Sequence, residues 1–228
     1  MDEITLLLQK HQHEFHRVVD HAANDKFFHF DFTTGNTGLH ENDIADTAKF
    51  AKYITDTLQS NNARYGIGGY NEHRTLYSKS PLFEGIEPRT VHLGIDIWGA
   101  AGTKVYAPLG GVVHSFAFNN NYRDYGATVI LQHQLETKLF YTLYGHLSLR
   151  DLTPLQEGKF IIRGEVIGHL GQPEENGNWP PHLHFQVIKD MRIKKGDYPG
   201  VCSIAETEKY LLNCPDPDLI LQMMKYAG

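Results

Sequence analysis

The 228-residue sequence contains no hydrophobic run long enough to cross a membrane. No window approaches the roughly 20 consecutive apolar residues that a membrane-spanning helix requires. The amino-terminal segment begins with the acidic residues Asp2 and Glu3, and its apolar run stops after Leu8. A secretory signal combines a basic start with a longer apolar stretch. We therefore expect a protein with no membrane segment and no export signal, located in the cytoplasm.

Positive charge and cysteine are also scarce. The chain has 21 Lys and Arg against 27 Asp and Glu, a formal net charge of −6. Recognition of nucleic acid needs a basic face, so this balance argues against a nucleic-acid partner. The two cysteines, Cys202 and Cys214, form no CxxC pair. We expect two free, partly buried thiols rather than a disulfide or a pair of metal ligands.

Both ends of the chain show helical patterns. Apolar residues recur at helical spacing over 3–21 and again over 42–59, which predicts two amphipathic helices. The aromatic segment between them, residues 25–42, is expected to be irregular, with its phenylalanines buried in the core. Near the carboxyl terminus, a capping box that starts at Ser203 and the pair Asp216–Pro217 predict two further helix starts.

From about residue 88 the pattern changes to short segments rich in β-branched and aromatic residues, separated by glycines. This is typical of an antiparallel β-sheet, so the predicted fold class is mainly β with flanking α-helices. We expect residues 1–87 to form a helical and irregular segment packed on the core. Residues 88–190 would form the β domain, and residues 191–228 a helical extension.

Fourteen histidines are many for this length, and three groups of them suggest a metal site. His92 and Asp96 are four residues apart, a spacing that puts two side chains on the same face of a strand. His182 and His184 share a strand face in the same way. Imidazole nitrogen and carboxylate oxygen are both good zinc ligands. Taken singly, each group is more often surface polarity or a structural hydrogen bond.

Together the groups point to a catalytic metal. His92, Asp96 and either His182 or His184 supply three protein ligands and leave one position open, whereas a structural zinc site is closed by a fourth protein ligand. His146, at the end of the strand-like run KLFYTLYGHL, adds a further imidazole that could carry protons. The same nitrogen and oxygen donors also accept other divalent metals.

The motifs HLGIDIW, YGATVILQH, LFYTLYGHLS and PPHLHFQV occur in this order over residues 88–190. This arrangement resembles the lysostaphin-type family of zinc endopeptidases. The resemblance implies a mostly antiparallel fold, the duplicated hybrid motif, with the site in an open groove. It also implies that His92, Asp96 and His184 are the zinc ligands, and that His146 and His182 are the catalytic histidines.

The resemblance predicts a zinc-dependent endopeptidase that acts on a peptide or a peptidoglycan-derived substrate. One alternative is a cytoplasmic zinc hydrolase acting on a small amide metabolite, and another is a binding module without catalytic activity. Residues 70–74 could line the groove, and by the same resemblance Asn71 could be an inhibitory ligand of the metal; the competing interpretation is an ordinary polar loop. The sequence leaves the oligomeric state open.

Overall fold

The computed structural model describes residues 2–33, 35–36, 39, 41–74 and 88–227, with Glu41 and Asn42 described by their backbone alone. No helix in these ranges has both the length and the hydrophobicity needed to cross a bilayer. The expected cytoplasmic location stays a prediction. The α-helices are α1 (Glu3–Lys10), α2 (Glu41–Ala45), α3 (Thr47–Ser60), α4 (Thr207–Asn213) and α5 (Asp218–Leu221).

The β-strands dominate the described part of the chain, which confirms the mainly β class. In chain order they are β1 (Phe27–Phe30), β2 (Tyr65–Gly68), β3 (Arg89–His92), β4 (Ile95–Trp98), β5 (Lys104–Tyr106), β6 (Gly111–Asn119), β7 (Gly126–Leu135), β8 (Lys138–Leu147), β9 (Phe160–Ile161), β10 (Val166–His169), β11 (His182–Ile188) and β12 (Val201–Ser203).

Eight of these strands form one large sheet in the order β1-β2-β4-β11-β8-β7-β6-β9. Only the pair β1 and β2 is parallel; the other neighbours described in this sheet are antiparallel. Two small antiparallel ladders, β5 with β10 and β3 with β12, lie beside it. Strand β11 therefore has a long neighbour on one side, β8, and the short strand β4 on the other.

The main hydrophobic cluster lies against one face of this sheet. Leu183, Phe185 and Val187 alternate along β11 and are fully buried in the main hydrophobic cluster. A second cluster joins Phe50 and Ile54 of α3 to aromatic residues that include Trp98. Because side chains alternate across a strand, the opposite face of β11 is free to carry polar groups.

The first predicted helix is too long. Helix α1 ends at Lys10, and the prediction of helix over 3–21 is wrong beyond a short 3₁₀ turn at Gln12–Glu14. The reason is that Val18 and Val19 belong to an extended segment, in which both side chains are buried. Val19 forms a bridge with Val105, and the Tyr106 N–H donates to the Val18 carbonyl over 2.9 Å. Partners distant in the chain thus replaced the helical arrangement.

The second predicted helix is interrupted at Asp46. Its carboxylate accepts hydrogen bonds from the N–H groups of Ala48 and Lys49, so it caps α3 and separates it from α2. The expectation that residues 25–42 are irregular is also wrong in part, because β1 lies within this range. Phe30 and Phe32 are buried as expected, each with 1% exposure.

The carboxyl-terminal helices occur where they are expected, but the second is short. Helix α4 follows a 3₁₀ turn that begins after Ser203, and the Ser203 hydroxyl contacts Glu206 at 3.5 Å. Helix α5 ends at Leu221 because Gln222 adopts a positive φ of 51°. Cys202 and Cys214 are free thiols, as predicted, and both are buried.

His133 on β7 is a buried histidine that should make stability depend on pH. Its Nδ1 lies 3.1 Å from the Gly110 carbonyl and its Nε2 2.7 Å from the Thr142 hydroxyl. Burial lowers the pKa of His133 from 6.5 to about 4. Since the folded protein resists the proton that the unfolded chain accepts, stability is complete above pH 6.5 and is lost as the pH falls towards 4.

We expect the lowered pKa of His133 by itself to reduce the free energy of unfolding by about 3 kcal/mol when the pH falls from 7 to 4. The measurement is urea unfolding of the wild type and of His133→Gln at both pH values. The glutamine variant should lose this component of the pH dependence, whereas the same change at the exposed His29 should keep it. An unchanged pH dependence in His133→Gln would show that His133 contributes nothing to it.

Candidate metal centre and active site

Two neighbouring strands bring three of the five predicted site residues to one face of the large sheet. In the register of β4 and β11, Asp96 lies opposite His184 and Trp98 lies opposite His182. His182, His184 and Asp96 are nearly inaccessible to solvent, each with 3% exposure. The alternation predicted for the HLH motif is confirmed, because Leu183 points into the core.

His92 reaches the same place from a different strand. The interpretation of His92 and Asp96 as neighbours on one strand face is wrong, because β3 ends at His92 and β4 begins at Ile95. The connection includes Gly94, where a Cβ atom would lie 2.6 Å from the His184 ring and 2.8 Å from the Phe185 carbonyl oxygen. A side chain at this position would displace the His184 ring, so glycine permits the close approach.

Three donor atoms converge at this point. The distance from His92 Nε2 to His184 Nδ1 is 3.0 Å, that from His184 Nδ1 to Asp96 Oδ1 is 3.2 Å, and that from His92 Nε2 to Asp96 Oδ1 is 3.3 Å. The predicted trio His92, Asp96 and His184 thus forms a compact, buried triangle of two nitrogens and one oxygen.

The hydrogen bonds on the outer side of the two rings define their tautomers. His92 Nδ1 lies 2.9 Å from the Gly69 carbonyl oxygen, and His184 Nε2 lies 2.9 Å from Gln186 Oε1. Since both partners are acceptors, each ring donates its N–H outward and turns a lone pair towards the other ring and Asp96. Metal-binding histidines typically have such an outer acceptor.

This donor set fits a zinc ion. Two lone pairs and an ionised carboxylate oxygen repel one another unless a cation lies between them. In a tetrahedral zinc site with ligand distances of about 2.0–2.2 Å, neighbouring donor atoms lie about 3.3–3.6 Å apart. The three observed separations come close to this arrangement. Three protein ligands leave a fourth position, as in catalytic zinc sites.

The charge of Asp96 is balanced by Arg74, which the sequence suggested only as part of the groove segment 70–74. Arg74 is completely buried; its Nη1 donates to Asp96 Oδ2 and its Nε donates to Glu72 over 2.5 Å. Burial alone would raise the pKa of Asp96, but the positive charge of the neighbouring Arg74 contributes to lowering it well below its usual range. Asp96 is therefore ionised, with Oδ2 occupied by Arg74 and Oδ1 turned to the histidines.

Removing the Arg74 guanidinium should weaken metal binding. We expect Arg74→Gln to lower zinc affinity by about 10- to 100-fold, the usual effect of losing a partner that orients a metal ligand. Competition with a chromogenic chelator measures the affinity directly. The exposed Arg150 provides the matched control, because Arg150→Gln should bind zinc as the wild type does. Equal affinity in Arg74→Gln would contradict the orienting role.

His146 and His182 lie beside the triangle, and their rings pack against each other with centroids 4.1 Å apart. The Nδ1 atom of His146 lies 2.8 Å from the Asn176 carbonyl oxygen, and that of His182 lies 2.8 Å from the Pro180 carbonyl oxygen. Each neutral ring therefore donates from Nδ1 and presents Nε2 as a proton acceptor. His182 Nε2 is 4.0 Å from Asp96 Oδ1.

Burial keeps both rings neutral. It lowers the pKa of His182 to about 4 and that of His146 well below its ordinary value, and the neighbouring His182 ring adds to the effect on His146. Trp98 stacks on the other face of His182 with a centroid distance of 4.0 Å. His146 has a positive φ of 64°, a conformation uncommon for residues other than glycine.

These groups line a cavity of about 200 Å³. Tyr125 is also part of its wall, and its hydroxyl lies 3.4 Å from His184 Nε2. Of residues 70–74, Arg74 is part of the wall, whereas Asn71 is exposed and is not one of the lining residues. The backbone N–H of Asn71 donates to the His92 carbonyl over 2.9 Å.

An antiparallel sheet that carries a buried His, Asp and His cluster in a cavity defines a β-protein with a candidate metal centre. Residues 90–196 match the family model described as Peptidase family M23. This segment is therefore similar to the peptidases of family M23, and the predicted resemblance to lysostaphin-type enzymes is confirmed.

Among curated proteins, the L-Ala–D-Glu endopeptidase of Bacillus subtilis (strain 168) is 26% identical over 160 residues, which cover 64% of this chain and 47% of that protein. The chain thus spans about half the length of this relative. A zinc-containing peptidase from Vibrio cholerae is 28% identical, with a TM-score of 0.37 over 52% of this chain and 31% of that chain. The catalytic domain of lysostaphin from Staphylococcus simulans is 19% identical, with a TM-score of 0.41 over 70% of this chain and 97% of that chain.

Proposed function

We propose that this protein is a zinc-dependent endopeptidase, with His92, Asp96 and His184 as the metal ligands. The observation that carries the proposal is the convergence of two imidazole lone pairs and one carboxylate oxygen, 3.0–3.3 Å apart, within the segment that matches a peptidase family. When bound, zinc acts as a Lewis acid that polarises a carbonyl group and makes water nucleophilic near neutral pH.

His146 and His182 are proposed to move the protons of the reaction. Hydrolysis joins the oxygen of water to the peptide carbonyl carbon, breaks the C–N bond and transfers a proton to the leaving amine. Either Nε2 can accept the proton of water and return it to the nitrogen, because both rings are neutral and donate from Nδ1 to backbone carbonyls. The fixed tautomers keep both Nε2 atoms in the acceptor state.

The proposed substrate is a peptide or a peptidoglycan-derived peptide. Support comes from the family and from the similarity to a protein named for cleaving an L-Ala–D-Glu bond.

The test is digestion of purified peptidoglycan and of soluble stem peptides by the zinc-loaded protein, with products identified by mass spectrometry. A zinc-dependent new amino terminus in the digest supports the proposal, and a chelator should abolish it. Turnover of small amides without cleavage of any peptide would favour a metabolite hydrolase. A protein that holds zinc at the site but cleaves neither class would favour a binding module.

A further inference from the structure

Arg123 places a guanidinium group in the wall of the same cavity. It lies just before β7, is only 5% exposed, and its Cζ is 4.1 Å from the centre of the Trp179 ring. Its Nη2 donates to the Ile44 carbonyl over 2.6 Å. The aromatic face and the carbonyl of α2 hold the group in one orientation.

The other cations of this cavity face acidic groups. Arg74 forms ion pairs with Asp96 and Glu72. The positive charges of Arg89 and Lys194 both act on Asp197, where each contributes to lowering the pKa of the carboxyl group. Within the described ranges, Arg123 has no carboxylate oxygen within 4.0 Å, and its Nη1 has no hydrogen-bond partner.

The carboxylate of Asp124, the next residue in the chain, is not the anionic partner of Arg123. Asp124 accepts hydrogen bonds from the Tyr125 N–H over 2.8 Å and from Asn121 over 2.9 Å. It also acts on Asp197, because its charge contributes to raising the pKa of that residue. Asp124 is therefore engaged elsewhere.

A buried guanidinium without an anionic partner is unfavourable for the free protein. A ligand that brings a negative group into the cavity would relieve this cost. A carboxylate suits the planar guanidinium best, because two parallel N–H···O bonds can form between them.

The position of Arg123 relates this group to the reaction. The Trp179 ring on which it lies has its centre 6.3 Å from that of His146 and 6.1 Å from that of His182. A carboxylate paired with Arg123 would therefore belong to a part of the substrate close to the bond that is cut.

We propose that Arg123 is a specificity-determining residue that binds a carboxylate of the peptide substrate, from either an acidic side chain or a free carboxyl terminus. The inference rests on the proposed endopeptidase function. It explains why a chain of net charge −6 keeps a buried arginine in its cavity wall.

The test compares matched peptides that differ by one functional group. In the first arm, peptides capped at both ends carry Glu or Gln at each position near the cleaved bond. In the second arm, one peptide ends in a free carboxylate and its partner in an amide. The zinc-loaded proteins are the wild type, Arg123→Gln, Arg123→Lys and the exposed control Arg150→Gln, and kcat/KM is measured for each peptide.

For the wild type we expect a preference of roughly 10- to 100-fold for the carboxylate peptide in one of the two arms. In Arg123→Gln this ratio should fall to about one, and in Arg123→Lys to an intermediate value, because the charge remains without the planar fork. The Arg150→Gln protein should keep the wild-type ratio. No preference in the wild type, or an unchanged preference in Arg123→Gln, overturns the proposal.

Binding measurements separate this inference from the proposed function. Both tryptophans of the chain, Trp98 and Trp179, line the cavity, so their fluorescence reports the binding of the same peptides without turnover. If no peptide is cleaved, the endopeptidase proposal fails. The ratio of dissociation constants between carboxylate and amide peptides then tests Arg123 by itself. The wild type should bind the carboxylate peptide more tightly, and Arg123→Gln should lose this preference.

Discussion

His184→Ala is expected to abolish stable zinc binding, whereas the wild type should hold about one zinc ion per chain. Without the imidazole, the triangle loses one of its three donors, and His92 Nε2 and Asp96 Oδ1 remain as a two-ligand site. Two ligands do not make a stable zinc site in a protein, since catalytic sites use three. The measurement is metal content by inductively coupled plasma mass spectrometry after dialysis.

The matched control is His114→Ala, which removes a histidine from β6 outside the cavity. It should retain the zinc content of the wild type. Equal zinc in His184→Ala and in the wild type, or a zinc-free wild type loaded under controlled conditions, would refute the ligand assignment. A circular dichroism spectrum like that of the wild type would show that the variant is folded.

His146→Ala is expected to retain zinc and lose most of its turnover. His146 contributes no atom to the triangle, but its Nε2 is one of the two proton acceptors beside it. General acid–base catalysis is worth about 100- to 10,000-fold, so kcat should fall within that range. Zinc content and kcat are measured on the same preparation.

His146→Asn controls for the backbone at this position. The φ of 64° is tolerated better by asparagine than by alanine, so this variant removes the imidazole with less strain. Both variants should be equally inactive if the ring carries protons. A zinc-loaded His146→Asn protein with wild-type kcat would contradict the assigned role.

The sequence predicted the residues of the site better than the way in which they meet. Alternation along one strand placed His182 and His184 on the polar face of β11, and the same period extends to Gln186, which could have been recognised as the outer partner of His184. The meeting of His92 with Asp96 was attributed to one strand. It depends instead on a break at Gly94, which local periodicity does not reveal.

Partners supplied by distant parts of the chain were beyond sequence reasoning. The Gly69 carbonyl, which directly follows β2, reaches His92, and Arg74 reaches Asp96 from a segment that bridges β3 between His73 and Val91. Arg123 is held by a carbonyl of α2, far away in the sequence. None of these contacts follows from a periodic pattern or a motif. The interruption at Asp46 was recognisable, since aspartate is a common N-cap residue.

The pairing of β2 with β4 bears on what a shortened version of this protein would retain. A fragment limited to residues 90–196 would keep His92, Asp96 and His184 and still match the family. It would lack Arg74 and the Gly69 carbonyl, and the ligand-bearing strand β4 would become an open edge. Open edges pair readily with other chains. The unit that forms the candidate metal centre is therefore larger than the segment that matches the family, and transplanting that segment alone would transfer the proposed ligands without the contacts that orient them.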